Sequence, residues 1–102
     1  MAQDKTPEEI KQEAIQKVKR SMMMVNDVFD PDISDLIDQA LADLGIAGVT
    51  NTALTDALVL GAVKTFCRMK FGEPDDYDRL KVSYDEQKAQ LKTATGYTDW
   101  GV

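Results

Sequence analysis

The chain has 102 residues with no histidine, one cysteine (Cys67) and a formal charge of −6 from eighteen acidic and twelve basic side chains. That length is one domain able to bury roughly 60 to 70% of its unfolded surface without a metal or a cross-link, while an internal disulfide and the usual zinc ligand sets are excluded. The basic residues are scattered along the sequence rather than gathered in one stripe, which opposes binding to naked duplex DNA.

The N-terminal stretch Met1 to Gln16 is polar, with no charged start followed by an apolar run, so a secretory signal is not expected. Thr6-Pro7-Glu8-Glu9 supplies a cap, a proline at the first helical position and a glutamate at the third. Ile10, Ala14, Val18 and Met22 then recur every four residues, with Ile15 and Val25 widening the stripe. This spacing predicts a first helix over Thr6 to Met24. Two readings stand for Met22-Met23-Met24, an adaptable interface surface or a flexible core filler.

A turn follows over Asn26 to Asp32, with Asp30 expected to cap a second helix and Pro31 to open it. Ile33, Leu36, Ile37, Ala40, Leu41 and Leu44 lie at offsets 0, 3, 4, 7, 8 and 11, a full amphipathic face. Gly45 is expected to end this helix in a left-handed conformation, with Ile46 folding back on Leu41. Asp32, Asp35, Asp38 and Asp43 form the opposite face, read as solvated.

The stretch from Thr52 to Phe71 is the organising element. Between Ala53 and Val63 only Thr55 and Asp56 are polar, so a helix here is apolar around most of its circumference and has to be covered on several sides. Its charged end (Lys64, Arg68, Lys70) and its length argue against a membrane span. Thr50, Asn51 or Thr52 is the expected cap, and Gly72 with Pro74 closes it.

Glu73-Pro74-Asp75-Asp76 predicts a turn and the start of a last helix, whose apolar residues Tyr77, Leu80, Tyr84 and Leu91 make a narrow seam. The expected class is therefore all-α, a small bundle of about four helices around a central apolar helix, spanning residues 1–92. Residues 93–102 are read as an extended C-terminal arm. Its two aromatics, Tyr97 and Trp100, need cover, either from the chain's own core or from another subunit.

Catalytic chemistry finds little here. Acyl transfer lacks a base, and Cys67 on an apolar helix reads as a small buried hydrophobe. Asp27, Asp30 and Asp32 lack the glycine and distant glutamate of a calcium loop, and Asp75, Asp76 and Asp78 read as helix-start charges. No cofactor and no enzymatic activity are expected.

The order of several short motifs carries a more specific signal. Ile15-x-x-Val18-Lys19, Phe29-Asp30-x-x-Ile33-x-x-Leu36-Ile37-x-x-Ala40 and Asp43-Leu44-x-x-Ala47-Gly48-Val49 are followed by Phe66-Cys67-x-x-Lys70-Phe71-Gly72. Tyr77-x-x-Leu80-x-x-Ser83-Tyr84-Asp85-x-x-Lys88-x-x-Leu91 and Gly96-Tyr97 complete the series. In this order, over Ile10 to about Tyr97, the chain resembles the head-completion or head-to-tail connector proteins of long-tailed phages and prophages. The resemblance implies a non-enzymatic virion protein, present in the host cytoplasm before assembly and at the head–tail interface afterwards. It implies a ring of about a dozen subunits docked on the portal after DNA packaging, joined to a downstream connector or tail protein, with DNA passing through its channel and no membrane partner. Tyr77, Leu80, Tyr84, Leu91, Tyr97 and Trp100 are then candidates for a subunit or portal interface. Asp35, Asp38, Asp75 and Asp76 are candidates for the channel wall, where like charge keeps phosphates from adhering.

Two other classes compete. An acyl-carrier-like protein modified at Ser34 is suggested by the small acidic helical bundle, although Ile33 rather than an aspartate precedes the serine. A DNA-binding module lacks a basic recognition helix.

Overall fold

The computed structural model describes residues 5–72, 74–94 and 96–98. They form an all-α bundle of four helices: α1 (Pro7–Ser21), α2 (Asp30–Ile46), α3 (Ala57–Lys70) and α4 (Tyr77–Thr93). Helix α3 is the hub. It packs against each of the other three, and α1 also packs on α2. Eight of its residues are buried, including Val59, Ala62, Val63, Phe66 and Cys67, as expected for a helix apolar around most of its circumference. Helix α4 lies along α3 through Leu80, Tyr84 and Leu91, with the Phe66 and Tyr84 rings edge to face at 5.3 Å. The narrow seam is thus spent on a neighbour within the chain.

The start of α1 follows its sequence. Thr6 Oγ1 accepts from the Glu9 N–H at 3.1 Å, and the Glu9 carboxylate accepts from the Thr6 N–H at 2.9 Å. The helix stops earlier than Met24, at Ser21, because Met23 turns left-handed at φ +59°. The Met23 N–H donates to Arg20 O and the Met24 N–H to Lys19 O, a Schellman closure with methionine in the position glycine usually takes. Met22 and Met24 pack against the core, while Met23 is 90% exposed. The methionine run is therefore divided between the two readings.

Three further helix ends differ from expectation. Asp30 is not the cap of α2 but its first residue, following Phe29, which makes no side-chain cap. Its carboxylate instead meets Lys19 of α1 at 2.9 Å. At the other end α2 runs through Gly45 to Ile46, and closure falls three residues later. Gly48 takes φ +104°, its N–H donates to Gly45 O, and the Val49 N–H donates to Leu44 O. The apolar clasp is Val49 on Leu44, both buried, while Ile46 is 87% exposed. Helix α3 starts at Ala57, not near Thr52, because Asp56 accepts from the N–H groups of both Leu58 and Val59. Asn51 is used upstream, accepting from the Ala53 N–H in the preceding turn. The C-terminal closure of α3 is as expected, with Gly72 at φ +67°.

Candidate interaction surfaces

The side chains proposed for a partner interface fall into two groups. Leu80, Tyr84 and Leu91 are buried in the chain's own core, so their side chains are not available to another subunit. Tyr77 is 38% exposed at the start of α4. Tyr97 is drawn back onto the bundle, so of the two covers expected for it the chain's own core supplies this one. After α4 the chain turns, with the Tyr97 N–H donating to Ala94 O, and the Tyr97 carbonyl accepts from the N–H groups of Thr50 and Asn51. The Tyr97 hydroxyl donates to Asp56 Oδ2 at 2.8 Å. That hydrogen bond, with those from the Val59 and Leu58 amides, holds the Asp56 carboxyl below its usual range against some desolvation, and raises the tyrosine. Trp100 lies outside the described residues.

The acidic candidates also divide. Asp38 is paired with Lys11 at 2.7 Å and Asp76 with Arg79 at 2.6 Å, whereas Asp35 and Asp75 are exposed and make no ion pair among the described residues. Asp43, read as part of a solvated face, is a tie between helices. It accepts from the Tyr84 hydroxyl at 2.6 Å and from Lys88 at 3.1 Å, joining α2 to α4. Partial burial pushes its carboxyl upward, and the tyrosine and lysine together outweigh that and leave it below the ordinary value.

Cys67 is fully buried, and burial pushes its thiol up to about 12, so it is a packed hydrophobe with no thiolate at neutral pH. Ser34 is half-buried on the second turn of α2. Among the described residues, no three His, Cys, Asp or Glu side chains come together as a metal site, and no helix is long and apolar enough to cross a membrane.

Three features were missed at the level of sequence. The first is a buried cation: Lys19 is 2% exposed, and its ammonium reaches Asp27 at 2.7 Å and Asp30 at 2.9 Å. The hydrogen bonds it donates to Asp27 and Asp30 favour its charged form and raise its pKa despite desolvation. The second is an apolar surface. Met23, Val25 and Val28 in the α1–α2 connection are 90, 94 and 73% exposed, and Phe29 is 42% exposed. Phe29 stands edge to face with Phe71 at 5.2 Å, and together with Leu36 they floor a groove edged by Asp32, Asp35 and Lys70. The third is a basic groove between α1 and α3, lined by Lys17, Arg20, Ser21, Ala57, Leu60 and Lys64. It contains no carboxylate. Its cations come from two helices, with more than forty residues between Arg20 and Lys64, so no run of basic residues announces it.

A scan against protein-family models and searches of curated proteins and of solved structures return no match for this chain.

Proposed function

We propose that the chain is a non-enzymatic virion adaptor, a head-completion connector that docks as a ring on the portal after DNA packaging and receives the next connector or the tail. The motif order from Ile10 to Tyr97 supports this reading. The observation that carries it is the exposed apolar surface of the α1–α2 connection, where Met23, Val25, Val28 and Phe29 follow one another within seven residues. Four large apolar side chains so close together on the outside of an acidic chain are contact material. Met23 strengthens the point, because a non-glycine residue held left-handed at φ +59° with its side chain in solvent costs conformational energy and gains no packing within the subunit. No assembled nucleophile and base accompanies this surface.

DNA has to slide through such a ring, and acids on the lumen keep its phosphates from adhering. Of the four candidates, Asp35 and Asp75 carry the charge least compensated by a neighbour. The test is the solution mass by light scattering behind gel filtration, for the chain alone and mixed with portal protein. A discrete ring of about a dozen protomers, alone or on the portal, is the expected result. A chain that stays monomeric and never co-migrates with portal removes the adaptor reading. Intact-mass measurement after exposure to a phosphopantetheinyl transferase then tests Ser34 as a carrier site.

A further inference from the structure

We infer that the basic groove between α1 and α3 takes the acidic edge of α2 from a second copy of this chain, so that subunits join head to tail. The inference deepens the connector reading and rests on it only in requiring that copies of the chain meet side by side.

The argument is one of charge and shape. Lys17 and Arg20 project from α1 one turn apart, and Lys64 faces them from α3 across Ala57 and Leu60. None of the three cations makes an ion pair among the described residues, although the chain carries six more acidic than basic side chains. A groove walled by Ser21, Thr55, Ala57 and Leu60, with cations as its only charged groups, fits an acidic ridge.

Such a ridge is present on the same molecule. Asp32, Asp35 and Gln39 follow at i, i+3 and i+7 along one edge of α2, a strip about 10 Å long. Neither aspartate is paired among the described residues, and the strip is one wall of the groove floored by Phe29, Leu36 and Phe71, with Lys70 at its other edge. Laying one helix edge between two others is ordinary ridge-into-groove packing. It sets the aspartates against Lys17, Arg20 and Lys64.

Groove and ridge share no residue. On α3 itself, Lys64 of the groove and Lys70 beside the ridge lie about 120° apart around the helix axis. One subunit therefore offers both patches at once, to two different neighbours. That is a heterologous contact, the kind that closes into a ring when its rotation allows. It takes Asp35 out of the lumen candidates and leaves the Asp75 turn, which belongs to neither patch, as the part of the surface free to face a lumen.

The test is a charge swap in the full chain. One variant carries Lys17→Glu, Arg20→Glu and Lys64→Glu; the other carries Asp32→Lys and Asp35→Lys. Lys17, Arg20, Asp32 and Asp35 are exposed and Lys64 is half-buried, and circular dichroism establishes that each variant is folded. Mass is measured by light scattering at low and high salt, and amide NMR spectra of the labelled chain are followed up to millimolar concentration. The wild-type chain is expected to self-associate more weakly as salt rises. Each variant alone is expected to be monomeric, and an equimolar mixture of the two to recover the wild-type mass, because the reversed groove of one then faces the reversed ridge of the other. Assembly that is unchanged in either variant, or a mixture that stays monomeric, overturns the inference and leaves the ring reading standing on another interface. A wild-type chain that is monomeric at every concentration also overturns it, and the portal mixture then decides the connector reading separately. Amide shifts at Lys17, Arg20 and Lys64 that appear with a short DNA duplex and not with rising protein concentration overturn it in favour of a phosphate ligand.

Discussion

Met23 and Lys19 show how single residues set the character of the α1–α2 junction. A side chain at φ +59° crowds its own backbone, and glycine removes that crowding. Met23 gives nothing back within the subunit, being 90% exposed. Met23→Gly is therefore expected to stabilise the isolated chain by about 1 kcal/mol, read as a higher urea midpoint at unchanged slope. Lys19 presents an asymmetric case. Its ammonium is enclosed, whereas Asp27 is mostly in solvent and Asp30 is a quarter exposed. Removing both acids leaves a charge without its partners inside the protein, while removing the lysine leaves acids that water still reaches. Asp27→Asn with Asp30→Asn is thus expected to lower the thermal midpoint more than Lys19→Met does. Equal losses would mean that the pair acts through its packing alone.

Two carboxylates tie elements together, and both are expected to make the bundle sensitive to acid. Asp43 links α2 to α4, and Asp56 caps α3 while holding Tyr97. Both lie below their ordinary values in the folded chain, so folding favours their ionised forms. Their contribution is complete above the unfolded carboxylate pKa of about 4 and is lost as pH falls through the lower folded values. Urea midpoints are expected to hold from pH 7 to about 5 on account of these groups and to drop below about 4. The drop should be smaller in Asp56→Asn, and an equal drop in that variant would assign acid lability elsewhere. The elements themselves were legible in the sequence because periodicity and caps are local: the Thr6 capping box and the α2 stripe from Ile33 to Leu44 stand as the sequence predicts, and the apolar α3 does so from Ala57 onward. Helix ends were legible only where one residue can serve. At the start of α3, Asn51, Thr52 and Asp56 compete, and Asp56 prevails because it satisfies two amides while accepting a third hydrogen bond from Tyr97. At the end of α2, Gly45 and Gly48 compete, and closure at Gly48 is the one that leaves Val49 buried. The basic groove was not legible at all, since it exists only once α1 and α3 are side by side.

At the scale of the whole molecule, one helix carries the cooperativity. The bundle is a slab 43 × 38 × 19 Å with α3 touching every other helix, so it has no part able to fold without that helix. A cavity anywhere around α3 is expected to weaken all four helices together. Leu44→Ala, at a fully buried site, should cost about 2 to 5 kcal/mol, with helix content and tyrosine environment lost in one coincident transition. Ile46→Ala, at a site 87% exposed, is expected to change stability little. The same contrast between covered and uncovered side chains gives the left-handed turn at Met23 a chemical consequence. Peroxide converts an accessible thioether to the sulfoxide, and of the described methionines Met23 stands in solvent while Met69 is 5% exposed. Oxidation followed by peptide mass spectrometry therefore reports, from within the chain, whether the surface around Met23 is open or covered, with Met69 as the internal standard that stays reduced in either state.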